Sequence, residues 1–143
     1  MSETTQIEPD KVRAYLATDY RFGAAGDEIV LKIDKRSDQL AILFARHGVE
    51  CGAFLTAYNP QGRLQSVAAN DLGHIELAQL LRGKGLTIIE GAGSECGSDW
   101  SEERSWFALG LALSSAKELG TRFAQDAIVW VGQDAVPQLI LLR

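Results

Sequence analysis

The sequence has little of what usually makes a function easy to read. Of its 143 residues only two are cysteine, two histidine, three proline and one methionine. Two lone cysteines, Cys51 and Cys96, in a chain with no export signal read as free thiols in a reducing cytoplasm, not as a disulfide. The longest apolar runs, "AIVWV" and "LILL", are far too short to span a bilayer. The first residues, "MSETTQIEPDK", are polar and carry no apolar stretch of a signal peptide, so a cytoplasmic chain is expected. The formal net charge is -5, from 14 basic and 19 acidic residues, and no Lys/Arg cluster stands out. That excludes the electrostatic footprint of a general nucleic-acid binder.

Motifs that carry chemistry are also missing. There is no G-x-x-x-x-G-K-[ST], no H-E-x-x-H and no C-x-x-C. The glycines of "EGAGSECGSDW" (90–100) give G-x-G-x-x-x-G, which is not dinucleotide spacing. Ser94, Ser98 and Ser101 are not framed by a G-x-S-x-G elbow. No metal and no cofactor are therefore expected. No repeat or low-complexity segment is present.

What is present suits one domain. The chain is 46% hydrophobic and 23% charged, enough apolar material for a core. Residues 1–7 read as a disordered tail and 8–143 as a single globular domain. Pro9 suits a first helical turn, and Val12, Tyr15 and Leu16 share a face, which predicts a helix over 8–18. Ser37 caps a helix that stops at Gly48, with Arg46 and His47 in its cationic last turn. Further helices are predicted over 66–83 and 114–125, the latter capped by Ser114. Strands are predicted at 28–33, 50–58, 86–91 and 104–111. "AIVWVGQDAVPQLILLR" gives two more, with Pro137 at the start or edge of the last. The pattern predicts an α/β fold bordering on α+β: a mixed sheet of about five to six strands with about four packed helices.

Two consecutive β-α-β units, 28–58 and 50–91, are expected to be parallel, right-handed crossovers. Both strand ends would then leave the sheet at one edge, where ligands of open α/β sheets bind. Thr56–Asn59 and Glu90–Gly93 would be neighbours there, beside the start of the 66–83 helix and its anion-favouring N–H groups. Asn70, His74, Leu77 and Leu81 fall on one helical stripe, so Asn70 turns inward and needs a polar partner. Plainer readings stand beside these. Asn59-Pro60 is most often just a turn, and Arg63 is most often solvated. Asn70 often bonds only backbone, and His74 packs. Trp106 and Trp130 read as core; Trp100 lies in a polar glycine loop. Glu90, Glu102 and Glu103 lie near the expected edge, where a pair would suit acid–base work, although loop glutamates are commonly solvated.

The run "TAYNP" (56–60), then Asn70, a glycine loop ending in Trp100, Glu103-x-Ser105 and "FAQDAIVW" (123–130) resembles an uncharacterised bacterial family, domain of unknown function 3293. The matching residues are Thr56, Ala57, Tyr58, Asn59, Pro60, Asn70, Trp100, Glu103, Ser105, Phe123, Gln125 and Ala127. Glycine often stands in that family where this chain has Ala124. The resemblance carries no activity. It implies that Ser105 and Gln125 belong with the other polar residues of a shared site.

Three readings of function follow. The first is a module that binds a small polar or anionic molecule, nucleotide-like ligands included. Tyr58 or Trp100 would stack on it, and Asn59, Arg63, Asn70, Glu103, Ser105 and Gln125 would surround it. The second is a small hydrolase or transferase with Glu90 or Glu103 as acid or base. The third is a protein-interaction domain docking through an edge or Trp100.

Overall fold

The structure, a computed structural model, describes residues 5–24, 26–95 and 103–143. The predicted roles of Cys96, Trp100, Ser98, Ser101 and Glu102 fall outside the described residues, as do residues 1–4 of the expected tail. Residues 5–7 are packed rather than loose: Ile7 is buried, and the Thr5 hydroxyl donates to the carbonyl of Arg143.

Four helices and seven strands follow one another. Helix α1 (Pro9–Ala17) runs without a loop into β1 (Thr18–Phe22), and β2 (Ile29–Leu31) leads to α2 (Asp38–His47). After β3 (Gly52–Leu55) come a short 3-10 turn (Pro60–Gly62) and α3 (Val67–Gly83). Then follow β4 (Thr87–Glu95), β5 (Glu103–Leu109), α4 (Leu113–Arg122), β6 (Ala127–Val131) and β7 (Pro137–Leu141). The helix ends obey the local chemistry. Ser37 Oγ accepts from Leu40 N at 3.1 Å, Ser66 Oγ accepts from Ala69 N at 3.1 Å, and Gly48 closes α2 in the left-handed region. Ser114 does not cap α4; the helix starts a turn's edge earlier, after Ala112, with no side-chain cap.

All seven strands form one sheet in the order β2-β1-β4-β5-β3-β6-β7, every neighbour antiparallel. The fold is therefore a mixed α+β domain, and the expected parallel crossovers do not occur. Strand β5 inserts between β3 and β4, so these two never pair, although they run the same way. One consequence of the parallel expectation survives for that reason: the carboxyl ends of β3 and β4 leave the sheet at the same edge. The count is seven, not five to six, because "TDYRF" is a strand.

Alternation gives each strand two faces. Tyr20, Phe22, Leu31, Phe54, Phe107, Leu109, Val129 and Val131 share one buried cluster with Leu40 and Phe44 of α2. The other face sets Ala53, Leu55, Ala108 and Ile128 against Leu77 and Leu81 of α3 and Leu119 of α4. The sheet curls around the first cluster. Its two margins meet where Asp34 N donates to Pro137 O at 2.8 Å and Ser37 N donates to Ala135 O at 2.9 Å. Gly91 makes the curl feasible: a Cβ there would lie 2.1 Å from Arg21 O and 2.7 Å from Phe22 Cβ. The Phe22 ring stacks on Phe107 with centroids 4.2 Å apart and planes at 6°. Helix α2 fills one end of the concave face, and α1 crosses the other. Among the described residues no helix is long and apolar enough to cross a membrane.

Candidate functional site

Beneath α1 the concave face is not filled. A cavity of about 440 Å³ lies there, within the size range of small-molecule sites. Its floor is apolar: Tyr20, Phe54, Val129 and Leu139. One wall is polar and comes from the sheet edge: Thr56, Asn59, Glu103, Ser105 and Gln125. The roof is α1, through Lys11, Ala14 and Tyr15, with Glu8 and Asp10 exposed at the rim.

The roof contributes no fully buried residue of its own. Polar ties hold it instead. Lys11 and Tyr15, one helical turn apart, both reach Asp126, which is only 2% exposed at the head of β6. The Lys11 ammonium pairs with Asp126 Oδ2 and also donates to Gln61 O at 3.1 Å. The Tyr15 hydroxyl donates to the same carboxylate oxygen at 3.2 Å, and Arg143 Nε lies 2.9 Å from the other one. Burial, followed by the Asp126 charge, pushes the Tyr15 phenol upward, so it stays a proton donor.

Asn59 organises the polar wall. Its backbone is left-handed (φ 44), a region that asparagine tolerates better than most residues. Its amide N–H donates to Asn70 Oδ1 at 2.9 Å, and Asn70 Nδ2 donates back to Asn59 Oδ1 at 3.1 Å. Gln65 Nε2 also donates to Asn70 Oδ1, at 2.7 Å. With Oδ1 fixed this way, Asn59 Nδ2 points at Glu103 and donates to Oε2 at 2.9 Å. The chain Asn70–Asn59–Glu103 thus aims a partly buried carboxyl into the cavity. Burial pushes that carboxyl above its ordinary value; the Asn59 hydrogen bond and the Lys11 charge oppose the shift without cancelling it. Gln125 braces the same loop, donating to Tyr58 O at 3.0 Å and Phe123 O at 3.2 Å.

The sequence-predicted residues divide between four places. Asn59, Glu103, Ser105 and Gln125 line the cavity. Asn70 does not line it; it is buried behind Asn59 and sets that residue's orientation. Arg63 is exposed and lines no part of the cavity, because the chain turns outward after the 3-10 turn. Tyr58 and Glu90 lie on the convex face. Strand β4 continues past Glu90 to Glu95, so Glu90 is mid-strand, paired with Trp106 in register. Alternation then places it opposite to Glu103, and the two cannot act as a carboxylate pair.

On the convex face Glu90 belongs to an ionic and aromatic cluster. Its Oε2 accepts from His74 Nε2 at 2.7 Å and from Arg104 at 2.5 and 3.2 Å. His74, only 2% exposed, stacks on Trp106 with centroids 4.5 Å apart, and Tyr58 meets its edge at 6.0 Å. Trp106 Nε1 donates to His74 O, and the Tyr58 hydroxyl donates to Asp71 at 3.2 Å. Burial lowers the His74 imidazole, so it remains neutral and donates its one N–H to Glu90; Nδ1 has no partner among the described residues. Burial alone would raise Glu90, but the His74 and Arg104 hydrogen bonds and the Arg104 charge outweigh it and hold the carboxyl below its ordinary value. The predicted packing role of His74 is met.

Sequence reasoning missed Lys11, Tyr15, Tyr20 and Asp126. The i, i+4 pair Lys11/Tyr15 on a short first helix was a usable signal, as was an acidic residue at the head of an apolar strand in "FAQDAIVW". Among the described residues no group of three or more His, Cys, Asp or Glu side chains is placed to hold a metal ion.

No curated protein and no solved structure matches the chain. A family model does match, over residues 55–128, just over half of the 143. That span contains the whole polar wall and its Asn70 support, but not the α1 roof. The chain belongs to the family described as Protein of unknown function (DUF3293).

Proposed function

We propose that the concave cavity binds a small molecule and that Glu103 is its polar anchor. The observation that carries this reading is the Glu103 carboxyl itself. It is partly buried against an apolar floor and held in one direction by a two-asparagine relay. A carboxyl that served only the fold would be more stable in water or paired with a cation. The anionic, nucleotide-like ligand expected from the sequence loses its main support, since Arg63 lies elsewhere.

A catalytic role for the same carboxyl is the second reading. Its upward shift, caused by burial, brings it closer to the range in which acids and bases exchange protons near neutral pH. Covalent catalysis finds less support. The hydroxyls of Thr56 and Ser105 already donate to the carbonyls of Arg104 and Glu103, and no base reaches them among the described residues.

Native mass spectrometry of freshly purified protein, compared between wild type and Glu103→Gln, tests the binding reading. A small-molecule adduct present on the first and reduced on the second is the expected result. An adduct unchanged by Glu103→Gln would remove Glu103 as the anchor.

A further inference from the structure

The hydrogen-bond polarity of the cavity defines its ligand. Five hydroxyl groups line it: Thr18, Thr56, Ser105, Tyr15 and Tyr20. Each sits against an oxygen that can only accept. Thr18 Oγ1 is 2.7 Å from Ala14 O, Thr56 Oγ1 is 2.7 Å from Arg104 O, and Ser105 Oγ is 3.0 Å from Glu103 O. Tyr20 Oη is 2.6 Å from Tyr15 O, and Tyr15 Oη is 3.2 Å from the Asp126 carboxylate. Carbonyls and carboxylates have no proton to give, so all five hydroxyls donate outward to protein. What they can still offer a ligand is oxygen lone pairs.

Most amide donors are committed too. Gln125 Nε2 spends both of its N–H groups on two carbonyls, and Asn59 Nδ2 spends one of its two on Glu103. Among the described residues Lys11 is the one cation in the lining, and it is engaged by Asp126 and Gln61 O. Three carboxylates share the lining with it: Glu103 within, and Glu8 and Asp10 at the rim, where Asp10 is paired with Arg13. The segment 96–102 adds no lysine or arginine to the chain. Among the described residues the lining offers more free acceptors than donors and more carboxylates than cations, which disfavours a phosphate or carboxylate ligand and suits one that brings its own N–H donors.

We propose that the ligand is an organic cation: an ammonium or guanidinium group that donates to Glu103 and the surrounding hydroxyl oxygens, on a hydrocarbon body seated over Tyr20, Phe54, Val129 and Leu139. The proposal rests on the binding reading above and narrows it to one charge class. The aromatic side chains add a favourable surface for such a cation.

Three probes of matched size decide it: 2-phenylethylamine, 2-phenylethanol and 3-phenylpropanoate, titrated into the full chain and followed by amide NMR shifts of Phe54, Asn59, Glu103 and Val129. The amine should bind roughly tenfold or more tighter than the alcohol, as one charge-assisted hydrogen bond allows. The carboxylate should be weakest. In Glu103→Gln, which keeps the acceptor for Asn59, the amine's advantage should shrink to about threefold or less. Alcohol or carboxylate binding best would overturn the cation proposal and leave the binding site standing. No shift of these four residues with any probe at millimolar concentration would overturn both. The ranking on the wild-type chain alone decides the charge class, so the result does not hang on how well the variant folds.

Discussion

Glu90 and Glu103 lie on adjacent antiparallel strands, yet the two faces of one sheet give them opposite circumstances. Glu90, on the convex face, is about half exposed and receives hydrogen bonds from His74 and Arg104. Its charge is answered within the protein, and its carboxyl is held below the ordinary value. Glu103, on the concave face, receives one described hydrogen bond, from a neutral amide, and its carboxyl is pushed up by burial. The lesson is that a carboxylate's surroundings, not its place in a motif, decide whether its charge is answered within the protein. Arg104 answers the Glu90 charge within the sheet, and the neutral His74 hydrogen bond ties α3 to the same carboxylate. An underpartnered carboxyl facing a cavity is a destabilising arrangement that a ligand would relieve.

The largest expected effect tests the structural half of that contrast. Trp106→Ala removes the ring that stacks on His74 and the N–H that satisfies His74 O. A loss of about 3 kcal/mol is expected, at the low end for aromatic truncations because Trp106 is only partly buried. Urea denaturation measures it, and a loss under about 1 kcal/mol would show that the convex cluster is not what holds α3 in place.

Asn70→Ala is expected to cost about 1–3 kcal/mol. It leaves the Asn59 amide N–H and Oδ1 without their buried partner. It should also weaken binding of the amine probe, because the relay that aims Asn59 at Glu103 is broken. Retained stability together with retained amine binding would make the relay irrelevant to both.

The two carboxylates should respond to pH in opposite senses, which sharpens the comparison most directly. For Glu103 the folded-state pKa lies above the unfolded one. The penalty is absent below the ordinary carboxylate range and grows as pH rises toward the folded value. Glu103→Gln should therefore raise Tm at neutral pH and match wild type in acid. For Glu90 the folded-state pKa is depressed, so its contribution is present above the ordinary range and disappears as pH falls through the folded value. Glu90→Gln should lower Tm at neutral pH, with the difference closing in acid. Thermal melts across pH give both curves, and equal signs would erase the distinction between the faces.

Much of this fold was legible in the sequence, for reasons that differ by element. Helices α2 and α3 announce themselves through Ser37, Gly48 and Ser66, whose caps act locally. Pro137 opens an edge strand, as its missing N–H requires. Strand β1 is hidden in the sequence because "TDYRF" follows α1 without a break, and its alternation of Thr18, Tyr20 and Phe22 against Asp19 and Arg21 spans only five residues. The parallel expectation failed because nothing local in β3, α3 or β4 reveals that β5 returns to lie between them. In the sequence Gly91 and Gly93 look like a loop, which puts a strand end at Glu90. They are strand residues on the concave face, and Gly91 is small because Phe22 and the β1 backbone occupy the space its Cβ would need. Asn59, Asn70 and Glu103 were legible as polar groups near one edge, whereas the exclusion of Arg63 depended on a turn's direction that side-chain chemistry does not encode.

The smallest expected effect lies at Ala124, which touches neither carboxylate. It occupies the left-handed region (φ 55) in the loop between α4 and β6, at the position where the family resemblance places glycine. The conformation is imposed from both sides: Ala124 N donates to Thr121 O at 3.0 Å, and Ala124 O accepts from Gln61 N at 2.7 Å. An L-residue held there costs about 1–2 kcal/mol relative to its ordinary backbone. Glycine removes that cost but gives the unfolded chain more freedom, worth about 0.4–1 kcal/mol in the opposite direction. Ala124→Gly should thus stabilise the protein by up to about 1 kcal/mol in urea denaturation. It should leave the ranking of the three probes unchanged, since Gln125 keeps its bonds to Tyr58 O and Phe123 O. A loss of stability would mean that the added freedom of the unfolded chain outweighs the strain relieved at this position.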